Sequence, residues 1–234
     1  MKKTKKYICV LTLVMTFFVS TISSLAASNS SSGVDFETGI INVDQIETLS
    51  GIVGILTIFS SSDGVDSSAT YTGHAFVTFT NTSSLSKQVG VFNVYSGQEV
   101  TIGTRGGNCG HVGVWYNSEA YKLHYLGSYS DRVSLSMYIT QAELNTLNSL
   151  IASGDTWTIT NNCSSFASRV WNSISSIQLS AGIINNPGTL KNSIKAVSGY
   201  QTCRGIQNST PVGYASGNQF VTGNTSLLMI LETE

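Results

Sequence analysis

Apolar and polar positions follow two different periods along this chain, a strand-like one up to residue 140 and a helical one after it. Residues 51–59 (GIVGILTIF) are short, uncharged and rich in β-branched side chains, as a buried strand is. His74 opens the run HAFVTFTN, in which Ala75, Val77 and Phe79 alternate with Phe76, Thr78 and Thr80 at a period of two. Further strands are expected at 88–95 (QVGVFNVY), at 98–104 (QEVTIGT), in HVGVWYN, which His111 opens, and at 132–138 (RVSLSMY). Residues 60–70, the turn at 81–87 and the glycine-rich stretch 105–110 (RGGNCG) separate them.

At Thr140 the period changes. Thr140 and Glu143 have the spacing of a capping box, and Leu144, Leu147, Leu150 and Ile151 then recur as one helical face. Gly154 stops that helix. Residues 156–160 (TWTIT) predict a short strand or an extended lead-in to a second helix, which starts near Cys163. Phe166, Ala167, Val170, Trp171 and Ile174 are its apolar stripe, and Cys163 sits on the same stripe one turn before Ala167. Asn186, Pro187 and Gly188 make a turn before a short third helix at about 189–197, and late strands are expected at 219–222 and 226–231. No internal repeat is visible. Strands followed by helices read as α+β, with an antiparallel sheet preceding a Cys-bearing helix.

The N-terminus changes how the rest is counted. Lys2, Lys3, Lys5 and Lys6 precede an uncharged apolar run at 7–19, and small residues follow at 24–27 (SLAA). That order is a cleavable signal peptide over 1–27, so a secreted, extracellular location is expected. No second long apolar run follows, and the mature chain is expected to have no membrane span. Of 12 Lys and Arg, four depart with the leader, while none of the 13 Asp and Glu do; 8 against 13 leaves a net charge of −5. That balance argues against nucleic acid, which selects clustered basic residues. The simple leader and the scarcity of cysteine suggest a bacterial source. The expected organisation is a polar lead-in at 28–50, one domain over 51–200, and a tail at 201–234.

Cys109, Cys163 and Cys203 remain after cleavage, an odd number, so at least one thiol has no intrachain disulfide. Cys109 with Cys203 is one pairing that leaves Cys163 alone. Cys163 stands at the first turn of a helix, where unpaired N–H groups and the positive end of the dipole favour thiolate over thiol. The same N–H groups can hold the oxyanion formed when a carbonyl is attacked. The plainer reading is a small apolar filler on a buried stripe. A nucleophile needs a base, and the histidines are His74, His111 and His124. His74 and His111 each follow a glycine at the head of a strand, where a side chain can reach over a helix N-terminus; His124 is flanked by bulky residues in KLHYLG. The histidines and cysteines lack close metal-ligand spacing, so no metal is expected, and nothing calls for a cofactor.

A strand-head histidine in GHAFVTF, followed by strands and then Asn-Cys-x-x-Phe at a helix start, resembles the circularly permuted papain-like superfamily. That group includes lecithin:retinol acyltransferase-like enzymes and permuted relatives of the NlpC-type cell-wall peptidases. The resemblance covers roughly residues 70–197. It implies a permuted papain-like fold in which Cys163 is the nucleophile and His74 the base, with His111 as the competing base because HVGVWYN is a similar run. The acyltransferase-like members carry a second histidine about a dozen residues on, and here that stretch is Ser86, Lys87 and Gln88. Gln88 and Asn93 are the candidates left for orienting the base. The implied activity is a secreted thiol amidase or peptidase acting on peptide or peptidoglycan in the cell wall. An acyltransferase or thioesterase on the same fold, or a non-catalytic secreted binding protein, are the alternatives.

Overall fold

The computed structural model describes residues 51–62, 73–106 and 111–223. The signal peptide, the lead-in, Cys109 and the strand expected at 226–231 lie outside the described residues.

The chain is mixed α+β. Its centre is an eight-stranded antiparallel sheet ordered β10-β9-β6-β5-β2-β1-β7-β8. The members are β1 (Ile52–Ser61), β2 (His74–Asn81), β5 (Glu99–Arg105), β6 (Gly113–Tyr116), β7 (Val133–Thr140), β8 (Gln201–Thr202), β9 (Gly213–Ser216) and β10 (Gln219–Thr222). A separate hairpin is made of β3 (Lys87–Val89) and β4 (Phe92–Val94). The described helices are α1 (Ser118–Leu126), α2 (Gln141–Ser153), α3 (Cys163–Ile174) and α4 (Pro187–Lys195). Among the described residues no helix is long and apolar enough to cross a membrane.

Period-two alternation sorts the central strands onto two covered faces. Ala75, Val77 and Phe79 of β2, with Val100 and Ile102 of β5, join the main core. Leu144, Leu147 and Ile151 of α2, Phe166, Ala167, Val170 and Trp171 of α3, and Leu190 and Ile194 of α4 close over them. The other face carries Phe59 of β1 and Phe76 of β2, which pack with Ala120 of α1, Tyr129 and Ile206. The intervening positions of β2 and β5 point the same way: Thr78 Oγ1 donates to Glu99 Oε1 at 2.8 Å, and Thr101 Oγ1 to Glu119 Oε2 at 2.8 Å.

Local chemistry explains most element ends. Thr140 accepts from the Glu143 amide, and Glu143 Oε2 accepts from the Thr140 amide, so the capping box forms as its spacing predicts. Gly154 caps the end of α2. Departures from expectation also have local causes. The single strand expected at 88–95 folds back on itself, because Gly90 takes a left-handed φ of 56° and makes it the β3–β4 hairpin. Residues 156–160 form no strand. The domain does not end at 200: β8, β9 and β10 continue the same sheet. Helix α1 is not anticipated by hydrophobic spacing, since Ser118, Glu119 and Lys122 are among the residues it buries.

Candidate functional site

His74 is the first residue of β2, and Gly73 before it places it. Gly73 has φ +101°, and a Cβ there would fall 2.2 Å from the Ser61 carbonyl oxygen, so the strand can begin against β1 only with a bare backbone. The His74 ring lies among Phe76 and Tyr129, with centroids 5.8 and 5.7 Å away. Its Nε2 is 2.9 Å from Glu119 Oε1.

Cys163 arrives from the opposite layer as the first residue of α3. Asn162 is the N-cap, and its Oδ1 accepts from the amides of Ser164 and Ser165 at 3.0 and 3.2 Å. Its Nδ2 donates to the carbonyls of Ile159 and Asn185 at 3.1 and 2.8 Å, which ties the loop before α3 to the loop before α4. The cap engages two of the first-turn amides that sequence reasoning offers to an oxyanion. The Cys163 N–H is the first-turn donor that the cap leaves alone.

Thiol and imidazole line one cavity, and each shifts the other's titration. With Nε2 held by Glu119, Nδ1 is the ring nitrogen left for the thiol. Burial alone would raise the Cys163 thiol, but the imidazolium charge of His74, its hydrogen bond, one from the Ala75 backbone and one from Ser164 outweigh it and hold the thiol below its ordinary value. Burial likewise pulls His74 down. The Cys163 charge, the hydrogen bond to it and the hydrogen bond to Glu119 prevail, against an opposing push from Arg105, and the ring lies above its ordinary value. Both directions favour a thiolate–imidazolium pair.

Glu119 completes the arrangement, and sequence reasoning missed it. It lies on α1, fully buried, 45 residues from His74 along the chain. Burial should raise its carboxyl; the hydrogen bond from His74, the Arg105 guanidinium and the Thr101 hydroxyl instead lower it to about 2. Arg105 Nη2 is 3.7 Å from Glu119 Oε1. Arg105 is itself fixed by Ser118 Oγ at 3.1 Å and the Tyr129 hydroxyl at 3.1 Å. Gly103 leaves room for the pair: a Cβ there would fall 2.3 Å from Glu119 Oε1 and 3.1 Å from His74 Nε2. The residues that could have signalled α1 are Glu119 in its first turn and Gly127 at its C-cap.

Of the expected site residues, His74 and Cys163 meet in one cavity of about 490 Å³, lined also by Thr104, Arg105, Trp157, Ile159, Asn185 and Pro187. His111 is not brought there. Its ring stacks on Tyr214 of β9 at 3.9 Å, and its carbonyl accepts from Trp115 Nε1 at 2.9 Å. Its strand begins only at Gly113, two residues later, so His111 does not head a strand as His74 does. His124 Nε2 lies 2.7 Å from the Ile206 carbonyl oxygen. Gln88 and Asn93 face each other, both exposed, on the β3–β4 hairpin, and Gln88 Nε2 donates to the Gly90 carbonyl at 3.0 Å. Neither lines the cavity. Cys203 Sγ donates to the Ser130 carbonyl at 3.3 Å; its proposed pairing with Cys109 falls outside the described residues. Among the described residues, no three His, Cys, Asp or Glu side chains are grouped as a metal ion requires.

The chain matches no family model, no curated protein and no solved structure.

Proposed function

We propose that the chain is a secreted cysteine hydrolase of permuted papain-like type that cleaves an amide. One observation carries this reading: a thiol at a helix N-terminus shares one cavity with an imidazole whose Nε2 is held at 2.9 Å by a buried carboxylate. Nucleophile, base and orienting group are the parts an activated thiol needs. They come from α3, β2 and α1, elements that share no local sequence motif.

The chemistry follows from the protonation pattern. The Cys163 thiolate attacks the amide carbonyl, and a carbon–sulfur bond forms as the carbonyl π pair moves to oxygen. The Cys163 N–H donates to that oxyanion. His74 Nδ1 gives its proton to the amide nitrogen, the carbon–nitrogen bond breaks, and the amine leaves. The acyl group remains as a thioester. Neutral His74 then takes a proton from water, hydroxide attacks the thioester, and the carboxylic product leaves as the thiolate–imidazolium pair is restored. Glu119 holds the ring with Nδ1 toward sulfur and stabilises the imidazolium formed in the resting state and in deacylation.

The test is amide hydrolysis by wild type and Cys163→Ala on a panel of peptides and peptidoglycan fragments. Loss of turnover by at least about 10³-fold is expected. Activity that survives this change refutes the nucleophile assignment.

A further inference from the structure

Resting on the hydrolase reading, we infer that the cavity beside Cys163 receives an uncharged, apolar side chain next to the scissile amide, and that Trp157 selects it. Trp157 lies directly on Gly106: a Cβ at Gly106 would fall 2.2 Å from Trp157 Cδ2 and Cε3. The indole thus packs flush against bare backbone and forms a flat wall of the cavity. Ile159, 72% exposed, and Pro187 extend that wall. A volume of about 490 Å³ suits one large side chain with its backbone.

Thr104 Oγ1 is buried on the lining without a partner but carries no charge, and most of the other polar side-chain groups around the cavity are committed elsewhere. Asn162 uses its oxygen on the α3 amides and its nitrogen on Ile159 and Asn185. Asn185 Nδ2 donates to the Thr160 carbonyl at 2.7 Å. Arg105 answers Ser118, Tyr129 and Glu119. His74 and Cys163 answer each other. A carboxylate or ammonium entering here would lose its hydration against indole and alkyl surface, and among the described lining residues it would meet no uncommitted counter-charge. An aromatic or aliphatic group gains contact on the same wall. The substrate is accordingly a peptide amide flanked by an apolar residue, and the charged stem peptides of peptidoglycan fit poorly.

Binding separates this inference from the chemistry. In Cys163→Ala, titration calorimetry with the N-acetyl amides of phenylalanine, glutamate and lysine should show the phenylalanine compound bound at least about tenfold more tightly than either charged one. Adding Trp157→Ala should shrink that advantage to within about threefold, and Trp157→Phe should keep most of it. Gly106→Ala, which pushes the indole off the backbone, should act like Trp157→Ala. Equal or tighter binding of a charged compound, or an advantage that survives Trp157→Ala, overturns the inference. Alkylation of the wild-type thiol by iodoacetamide across pH reads the other question: an ordinary thiol profile there sinks the hydrolase reading and leaves the binding preference standing.

Discussion

The two faces of the central sheet are built on different principles. Beneath α2, α3 and α4 the core is a continuous apolar cluster drawn from β1, β2, β5, β6 and β7. On the other face a small aromatic cluster around Phe59, Phe76 and Tyr129 is surrounded by buried charge: Glu99, Arg105, Glu119 and Arg132 are each at most 8% exposed. Glu99 accepts from Thr78, Arg204 and the Gln207 amide, Arg132 donates to the carbonyls of Tyr129, Cys203 and Arg204, and Arg105 and Glu119 form their own network. An apolar face can be filled by many side chains of suitable size, whereas a polar face holds only if nearly every donor and acceptor is answered. The thiol comes from the first face and its imidazole and carboxylate from the second, so the candidate site lies where the tolerant layer meets the exacting one.

The largest effect should come from the exacting side. Glu119→Gln keeps the shape and the hydrogen-bonding reach but removes the charge beside His74. Turnover of the proposed amide substrate should fall by about 10²-fold. The sign of the accompanying pH shift follows from the coupling. Without the carboxylate, His74 loses part of what raises it, a weaker imidazolium lowers the thiol less, and the acid limb of Cys163 alkylation moves to higher pH. If that limb stays in place while the protein merely loses stability, the polar face is structural and the carboxylate does not serve the thiol.

Leu147→Ala probes the tolerant side. Leu147 is fully buried between α2 and the sheet, and truncation should cost about 2–5 kcal/mol in denaturant unfolding. The alkylation profile of the folded fraction should not move. A shifted profile would mean that the two faces are mechanically one, and the contrast between them would fall.

Gly103→Ala sits between these cases. Its added methyl would intrude on both Glu119 and His74, so it should destabilise by about 1–3 kcal/mol and shift the thiol profile in the same direction as Glu119→Gln. Gly51→Ala is the control, since nothing lies within 4 Å of a Cβ there, and its effect should stay within about 0.5 kcal/mol.

The contrast between faces also governs what is legible in the sequence. Alternation in HAFVTFTN, the Thr140–Glu143 box and Gly154 are local signals, and each appears where its spacing predicts. The stripe from Phe166 to Trp171 follows from helical period because its partners are interchangeable apolar groups. Helix α1 is not legible: its inward residues are Ser118, Glu119 and Lys122, which look like a solvated turn until the network that satisfies them is assembled. For the same reason the family resemblance points to Gln88 and Asn93 as orienting groups, whereas the carboxylate is carried by α1, which follows β6 in the chain. His111 resembles His74 by the run that follows it. What separates them is the close approach of Gly73 to β1, a tertiary constraint with no counterpart in the primary pattern.

The smallest effect expected of a charged group tests whether charge matters as much at the edge of the molecule as it does inside. Asp131 accepts from Ser61 Oγ at 2.5 Å, from the Ser62 amide at 3.1 Å and from Ser62 Oγ at 2.7 Å, and it pairs with Lys191 of α4. Burial works against its charge, but Lys191 and the two serines prevail and hold the carboxyl well below the usual carboxylate range. A depressed folded-state value stabilises the fold above the unfolded value of about 4 and loses that contribution as pH falls below it. The Asp131 side chain is 34% exposed, so water and salt screen much of the gain. Asp131→Asn should therefore cost no more than about 1 kcal/mol at pH 7, and the gap to wild type should close as unfolding is measured at successively lower pH. A gap that widens on acidification would mean that the Asp131 carboxylate destabilises the fold, the reverse of what its partners require. A loss at neutral pH as large as that of Leu147→Ala would place this latch, which ties α4 and the cavity-lining Pro187 to the end of β1, among the exacting parts of the fold.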